Sequence, residues 1–174
     1  GPYYQSQRGE IYQCFAKKLV SEGMAYPCFL TEDELAAIRQ AQEEAKETTG
    51  IYGKYAEQSR NLTYDEIKTN IDAGKPYVVR LRSTGNHDLP SEEIRYIEVE
   101  DAIRGKLSMP ENDQDIIILK ATGIPTYHFA HVIDDHFMRT THVVRGEEWL
   151  MSLPIHVELF EKLGFDMPVY CHTA

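Results

Sequence analysis

No apolar run in this chain approaches the roughly 18 residues that a membrane-spanning helix needs, so no membrane partner is expected. Cysteine is scarce: Cys14, Cys28 and Cys171 are an odd set of three, with no Cys-x-x-Cys pair among them. They read as buried or free thiols in a reducing compartment, and no structural zinc is expected. The first residues, GPYYQSQRGEIY, lack a basic segment leading into an apolar one, so no secretory signal is expected. Basic charge is also in deficit. Eighteen Lys and Arg face 28 Asp and Glu, a net charge of −10. Phosphate contact is dominated by Lys and Arg, so any nucleic-acid contact has to be local. Repeats and low-complexity tracts are absent. What remains is 42% hydrophobic and 26% charged, enough for one globular domain, alone or carrying a smaller insertion.

The elements can be read from periodicity and punctuation. Arg8–Glu22 carries Ile11, Phe15 and Leu19 at helical spacing and stops at Gly23. Ala25–Phe29 reads as a strand, and Pro27 puts it at an edge. Thr31 with Glu34, and Thr63 with Glu66, are capping boxes that open two helices. The polar stretch Thr48–Asn61 between them reads as a loop. Tyr77–Arg82, Ile94–Val99, Gly105–Met109 and Asp115–Lys120 read as strands, with Ile116–Leu119 buried on both faces. Ser83–Ser91 is rich in turn residues and reads as a mobile loop. A last helix over Ile155–Leu163 ends at Gly164, and an extended piece follows Pro168.

Chemistry concentrates in Ile124–Trp149, IPTYHFAHVIDDHFMRTTHVVRGEEW, which holds four histidines and most of the charge of its region. Pro125 suits the first turn of a helix, whose apolar stripe is Phe129, Ile133 and Phe137. Thr141–Val144 is β-branched and strand-like, and the charged turn RGEEW follows. Helix, strand and charged turn is how an α/β domain presents polar groups where open sheets bind ligands.

Three signals each admit two readings. His128, His131 and Asp135 share one helix face, which could hold a divalent metal or be a plain polar face. Arg145 follows directly on the strand Thr141–Val144 and Tyr127 begins the preceding helix; together they could hold a carboxylate. Otherwise Arg145 pairs structurally with Asp134, Asp135 or Glu147. Glu147, Glu148 and Trp149 form either an adenosine-contacting turn or acids favoured at a helix N-terminus.

The residues GIPTYHFAHVIDDHFMRTTHVVRGEEWL at Gly123–Leu150 resemble glutamyl-tRNA synthetase, a class I aminoacyl-tRNA synthetase. YQSQRGEIYQCFAKKLVSEGMAYPCFLTEDEL, GKPYVVRLR and VEDAIRGKLSMPENDQDIIILKATGIPTY extend the resemblance along the chain in order. The resemblance implies an α/β fold: a Rossmann-type catalytic domain split in two, with an inserted α+β domain that grips the tRNA acceptor end. On this numbering 1–30 ends the first half, 31–121 is the insertion, and 122–174 begins the second half. It implies activation of glutamate with ATP and Mg2+ and transfer to the tRNA(Glu) acceptor end, in the cytoplasm. Tyr127, Arg145 and His131 would line the glutamate pocket, and Glu148 with Trp149 would lie against ATP. Arg80, Arg82, Arg104 and Lys106 are tRNA candidates by clustering alone.

The departures are the missing His-x-Gly-His and Lys-x-Ser-Lys signatures for ATP, and the missing amino-acid-binding Arg near the family's N-terminus. A Cys-x-Cys pair that begins a zinc site in some relatives is broken at Leu30. The sequence therefore reads as a fragment of glutamate–tRNA ligase that does not catalyse alone. Glutaminyl-tRNA synthetase or a short tRNA-modifying paralogue is the alternative within the class, and a small metal-binding protein using His128, His131 and Asp135 the alternative outside it.

Overall fold

A computed structural model describes residues 1–174. Six α-helices and seven strands follow in the order α1 (Gly9–Ser21), β1 (Ala25–Cys28), α2 (Glu32–Ala45), α3 (Gly53–Arg60), α4 (Tyr64–Asp72), β2 (Val78–Leu81), β3 (Tyr96–Asp101), β4 (Gly105–Pro110), β5 (Ile117–Leu119), α5 (Tyr127–Phe137), β6 (His142–Gly146), α6 (Leu153–Leu163) and β7 (Val169–Thr173). Both capping boxes form, with the Thr31 and Thr63 hydroxyls accepting from the backbone N–H of Glu34 and Glu66. Strand β1 lies at a sheet edge, as Pro27 requires.

The strands make two sheets. One is antiparallel, in the order β1-β2-β5; the other is mixed, in the order β4-β3-β7-β6. In the second, β6 and β7 run parallel, joined through α6, and register Arg145 beside His172. Strand β3 meets β7 at one pair only, Asp101 beside Tyr170. The two sheets share one core. Tyr12, Ala16 and Leu19 of α1, Leu81, Val99, Ile118, Phe129, Ile133 and Phe160 all belong to it. This α/β arrangement with mixed sheets agrees with the expected class.

Several expectations shift. The stretch 48–61 is not all loop, because 53–60 forms α3. It packs on β1 by burying Ala56 and Ser59, while Lys54, Glu57 and Gln58 face solvent. In α1 the buried face is Tyr12, Ala16 and Leu19, with Ile11 and Phe15 at its rim. Strand β5 is an edge strand, and only Ile118 is fully buried in it. Pro125 stays outside α5. It bridges to Leu119, and Thr126 is the N-cap residue with its hydroxyl donating to the Ile117 carbonyl at 2.7 Å. Phe137 is half exposed at the end of the stripe.

Residues 83–85, the start of the stretch read as a mobile loop, are pinned. The Ser83 N–H donates to Asp115 at 2.9 Å and the Thr84 N–H to Glu158 at 2.8 Å. Gly85 sits so close to the Asn112 carbonyl that an added Cβ would lie 2.3 Å from it. Turn-forming residues signal a change of direction, not mobility, and here buried carboxylates fix the turn.

Candidate functional site

Helix α5, strands β6 and β7, helix α6 and the end of β3 converge on Arg145. Its position at the carboxyl end of β6 follows from the β-branched run before it, and the sheet then puts His172 alongside. The guanidinium Nε donates to His172 Nε2 at 2.9 Å, and one terminal nitrogen donates to His156 Nδ1 at 3.1 Å. Its centre stands 4.7 Å over the Tyr170 ring. The other terminal nitrogen, Nη2, is buried and has no partner. Buried donors are paired in nearly every case, so an unpartnered donor on a cation leaves room for an acceptor; the Arg80 Nε on a cleft wall is another.

Asp134, Asp135 and Glu147 are not the partners of Arg145. Asp134 accepts from Arg8 at 2.9 Å and Tyr12 at 2.6 Å, Asp135 lies 3.1 Å from His131, and Glu147 is taken by Arg104. The structural ion-pair reading of Arg145 therefore fails.

His156 is neutral by construction. Because an arginine only donates, His156 Nδ1 must accept, which leaves its Nε2–H to donate to His128 Nδ1 at 2.9 Å. Burial, then the neighbouring His131 and Arg145, push the His156 pKa down to about 2. Burial and Arg145 hold His131 at about 4 and lower His128 as well. His131 Nε2 meets the Tyr170 hydroxyl at 3.0 Å, and burial raises that phenol. The metal reading of His128, His131 and Asp135 fails on the same geometry. His128 turns to His156 and His131 to Tyr170, so the three do not converge.

Tyr127 and His131, one helical turn apart, stack with 5.8 Å between ring centres. Trp149 packs on Tyr127 at 4.7 Å, which joins the two groups of candidates read from the sequence. Glu148 is exposed and folds back over Gly146, where an added Cβ would lie 2.0 Å from its carboxylate. Glu147 to Ser152 make a turn of 3-10 helix. An open cleft of about 550 Å³ runs past this site, with Tyr127, His128, Arg80 and Lys120 on its walls.

The four basic candidates lie by different sheets, Arg80 in β2 with Arg82 just after it, Lys106 in β4 with Arg104 just before it. Arg80 is 7% exposed and donates to the Asp115 carbonyl at 2.9 Å, so only an edge of it reaches the cleft wall. Lys106 is exposed and paired with Glu98.

His156, Tyr170, His172 and Asp101 were not among the residues singled out from the sequence. His156 left a signal, a lone imidazole among Leu153, Val157, Leu159 and Phe160 in an apolar helix. Tyr170 and His172 alternate on one face of β7. Nothing local marks Asp101.

A mixed α/β domain with a half-buried, incompletely paired arginine at a strand's carboxyl end has the form of the ligand-binding α/β proteins. Residues 1–174 match the family described as tRNA synthetases class I (E and Q), catalytic domain, and the chain belongs to that family. A glutamate–tRNA ligase of Acetivibrio thermocellus is 59% identical over 174 residues, covering 100% of this chain and 31% of the relative. One of Clostridium beijerinckii is 54% identical over 172 residues, 99% of this chain and 30% of that protein. The crystal structure of a glutamate tRNA ligase from Elizabethkingia meningosepticum, in complex with its amino acid, superposes with a TM-score of 0.86. It is 37% identical over 99% of this chain and 34% of its own. The chain thus spans about a third of the length of the proteins it resembles.

Proposed function

We propose that this chain carries the glutamate pocket of a glutamate–tRNA ligase, with Arg145 as the residue that holds a substrate carboxylate. The observation that carries this reading is the buried, unpaired Nη2 of Arg145. A carboxylate accepts well from a guanidinium edge, and in a partly dehydrated pocket the fixed cation favours an anion over a neutral amide. Tyr127 offers its hydroxyl at the mouth, and His131 closes the pocket behind it. The same charge argument sets aside glutamine as the substrate.

ATP is proposed to lie against Trp149 and Glu148, a flat apolar ring for the base and a carboxylate for ribose hydroxyls. Magnesium would arrive on the ATP phosphates, since no three His, Cys, Asp or Glu side chains here converge to hold an ion of their own. Residues 31–121 are proposed as the acceptor-end insertion. Arg82, Arg104 and Lys106 are its candidate tRNA contacts, and a cytoplasmic site of action accords with three free thiols. The reaction needs charge stabilisation at the α-phosphate. His-x-Gly-His and Lys-x-Ser-Lys, the residues that would supply it, do not occur in these 174 residues. The chain alone should therefore show no glutamate-dependent ATP–pyrophosphate exchange.

Arg145→Ala in the full-length ligase tests the central assignment. Losing one partner of a buried charged contact costs about 2–5 kcal/mol, so kcat/KM for glutamate should fall roughly 30- to 5000-fold. Arg145→Lys should recover only part, because one ammonium cannot keep both His172 and His156 and still face a carboxylate. A folded Arg145→Ala enzyme with unchanged glutamate kinetics would sink the assignment.

A further inference from the structure

Arg145 is fixed by neighbours that do not cancel its charge. A structural arginine is ordinarily met by a carboxylate. Here the groups in direct contact with the guanidinium are two imidazoles and a phenol ring. Two carboxylates stand behind neighbouring imidazoles without touching the guanidinium, Asp135 behind His131 and, behind His172 in the contact chain itself, Asp101. Asp101 is 1% exposed at the end of β3, and its carboxylate accepts from the Ile103 N–H at 3.0 Å and the Arg104 N–H at 2.9 Å. It also accepts from the His172 backbone N–H at 3.1 Å and from His172 Nδ1 at 2.7 Å. Burial by itself would raise this carboxyl. The donated hydrogen bonds outweigh it and hold the pKa at about 2, so Asp101 is an anion at any ordinary pH.

The tautomer follows. An ionised Asp101 only accepts, so His172 must carry its proton on Nδ1, and the lone pair is left on Nε2. That lone pair faces Arg145 Nε and accepts from it. The opposite tautomer would set two N–H groups against each other.

We infer that Asp101 and His172 are positioning residues for substrate selection: Asp101 locks His172 as an acceptor, and His172 aims the Arg145 guanidinium while leaving its charge for the substrate carboxylate. The inference rests on the reading of Arg145 as the glutamate-binding residue. It makes selection of a carboxylate over a carboxamide depend on a buried aspartate that touches no substrate. Rigid hold without neutralisation is what such a site needs. A directly paired carboxylate would compete with the substrate, and an unheld arginine would spend binding energy on being ordered.

The test uses the full-length ligase with Asp101→Asn, His172→Gln, His172→Leu and Arg145→Ala, each checked by thermal melting. Hydrogen bonds to charged groups set the scale, so Asp101→Asn should raise KM for glutamate about tenfold to a hundredfold. Glutamine should gain relative to glutamate, and KM for ATP should stay near its original value. His172→Gln, which keeps an acceptor near the Nε2 position, should retain most of the glutamate affinity that His172→Leu loses. In an Arg145→Ala background Asp101→Asn should add nothing. A folded Asp101→Asn enzyme with unchanged glutamate KM, or with equal losses for glutamate and ATP, would overturn the relay. If Asp101→Asn does not fold, equal glutamate KM in the two His172 variants overturns it instead. Should Arg145→Ala leave glutamate kinetics intact, the pocket assignment itself fails. If Arg145→Ala is impaired and Asp101→Asn is not, only the relay fails.

Discussion

The Tyr127 ring packs against the Trp149 indole with 4.7 Å between centres and 41° between planes. Tyr127 begins α5 and Trp149 sits in the turn after β6, so this contact ties a helix start to a strand end. It also ties the proposed amino-acid pocket to the proposed nucleotide surface. Aromatic pairs contribute about 0.5–1.5 kcal/mol beyond area burial. Trp149→Ala in the full-length ligase should raise KM for ATP and, through the loosened Tyr127, KM for glutamate by roughly 2- to 10-fold. Steady-state kinetics with each substrate varied would check this. An effect confined to ATP would show that the contact does not couple the two sites.

Asp115 should dominate the stability of the segment around β2. Its side chain is fully buried and accepts from Arg60 Nε at 2.6 Å, from the Tyr26 hydroxyl at 2.6 Å and from the Ser83 N–H at 2.9 Å. Asp115→Ala leaves a guanidinium, a phenol and an amide without their acceptor. Removing one partner of a buried ion pair costs about 3–5 kcal/mol. The urea midpoint of the chain should drop accordingly, with Asp115→Asn losing less. A midpoint within error of the parent chain would mean that water replaces the carboxylate at little cost.

Acid should weaken the fold before the carboxylates titrate. His131 and His156 have ordinary pKa values of 6.5 and are held at about 4 and about 2, mainly by burial. Below pH 6.5 the unfolded chain therefore binds protons that the folded chain refuses. Their contribution is fully present above that pH and is lost as pH falls toward the folded values. Each such histidine adds about 1.4 kcal/mol per pH unit to the slope. Unfolding free energies measured between about pH 6 and pH 5 should fall with this slope, and His156→Gln should flatten it. An unaltered slope in that variant would show that His156 is protonated in the folded protein.

The two capping boxes should act independently, since they open separate helices. Thr31→Ala and Thr63→Ala should each cost about 0.5–2 kcal/mol, and the double variant should cost their sum. Serine at either site should retain most of the stability. Chemical denaturation of the three variants decides it; a double variant markedly worse than the sum would reveal coupling between α2 and α4.

The sequence by itself determined the features that are local. Thr31 with Glu34 and Thr63 with Glu66 close within one helical turn, so their geometry is written in four residues each. The strand leading into Arg145 and the helix starting beside Tyr127 were legible for the same reason, although β6 runs on through Gly146. Pro27 marked an edge because it has no N–H to give a neighbour. The glutamyl-tRNA synthetase resemblance of Gly123–Leu150 also needed no coordinates, because the order of residue types along that stretch is itself the signature. Helix α3 was hidden because most of its residues are polar and its inward face is Ala56, Ser59 and the Arg60 that reaches buried Asp115. Tertiary structure alone decided what holds Arg145. Asp101, His156 and His172 come from three elements, and Asp101 lies 71 residues from the histidine it bonds. Their partnership is set by the pairing of β3, β6 and β7 and by the packing of α6. A hydrogen bond between side chains so far apart in the chain leaves no periodicity behind. The tautomers, the lowered histidine pKa values and the unpaired Nη2 are properties of that assembled interior, where burial decides which donors find an acceptor.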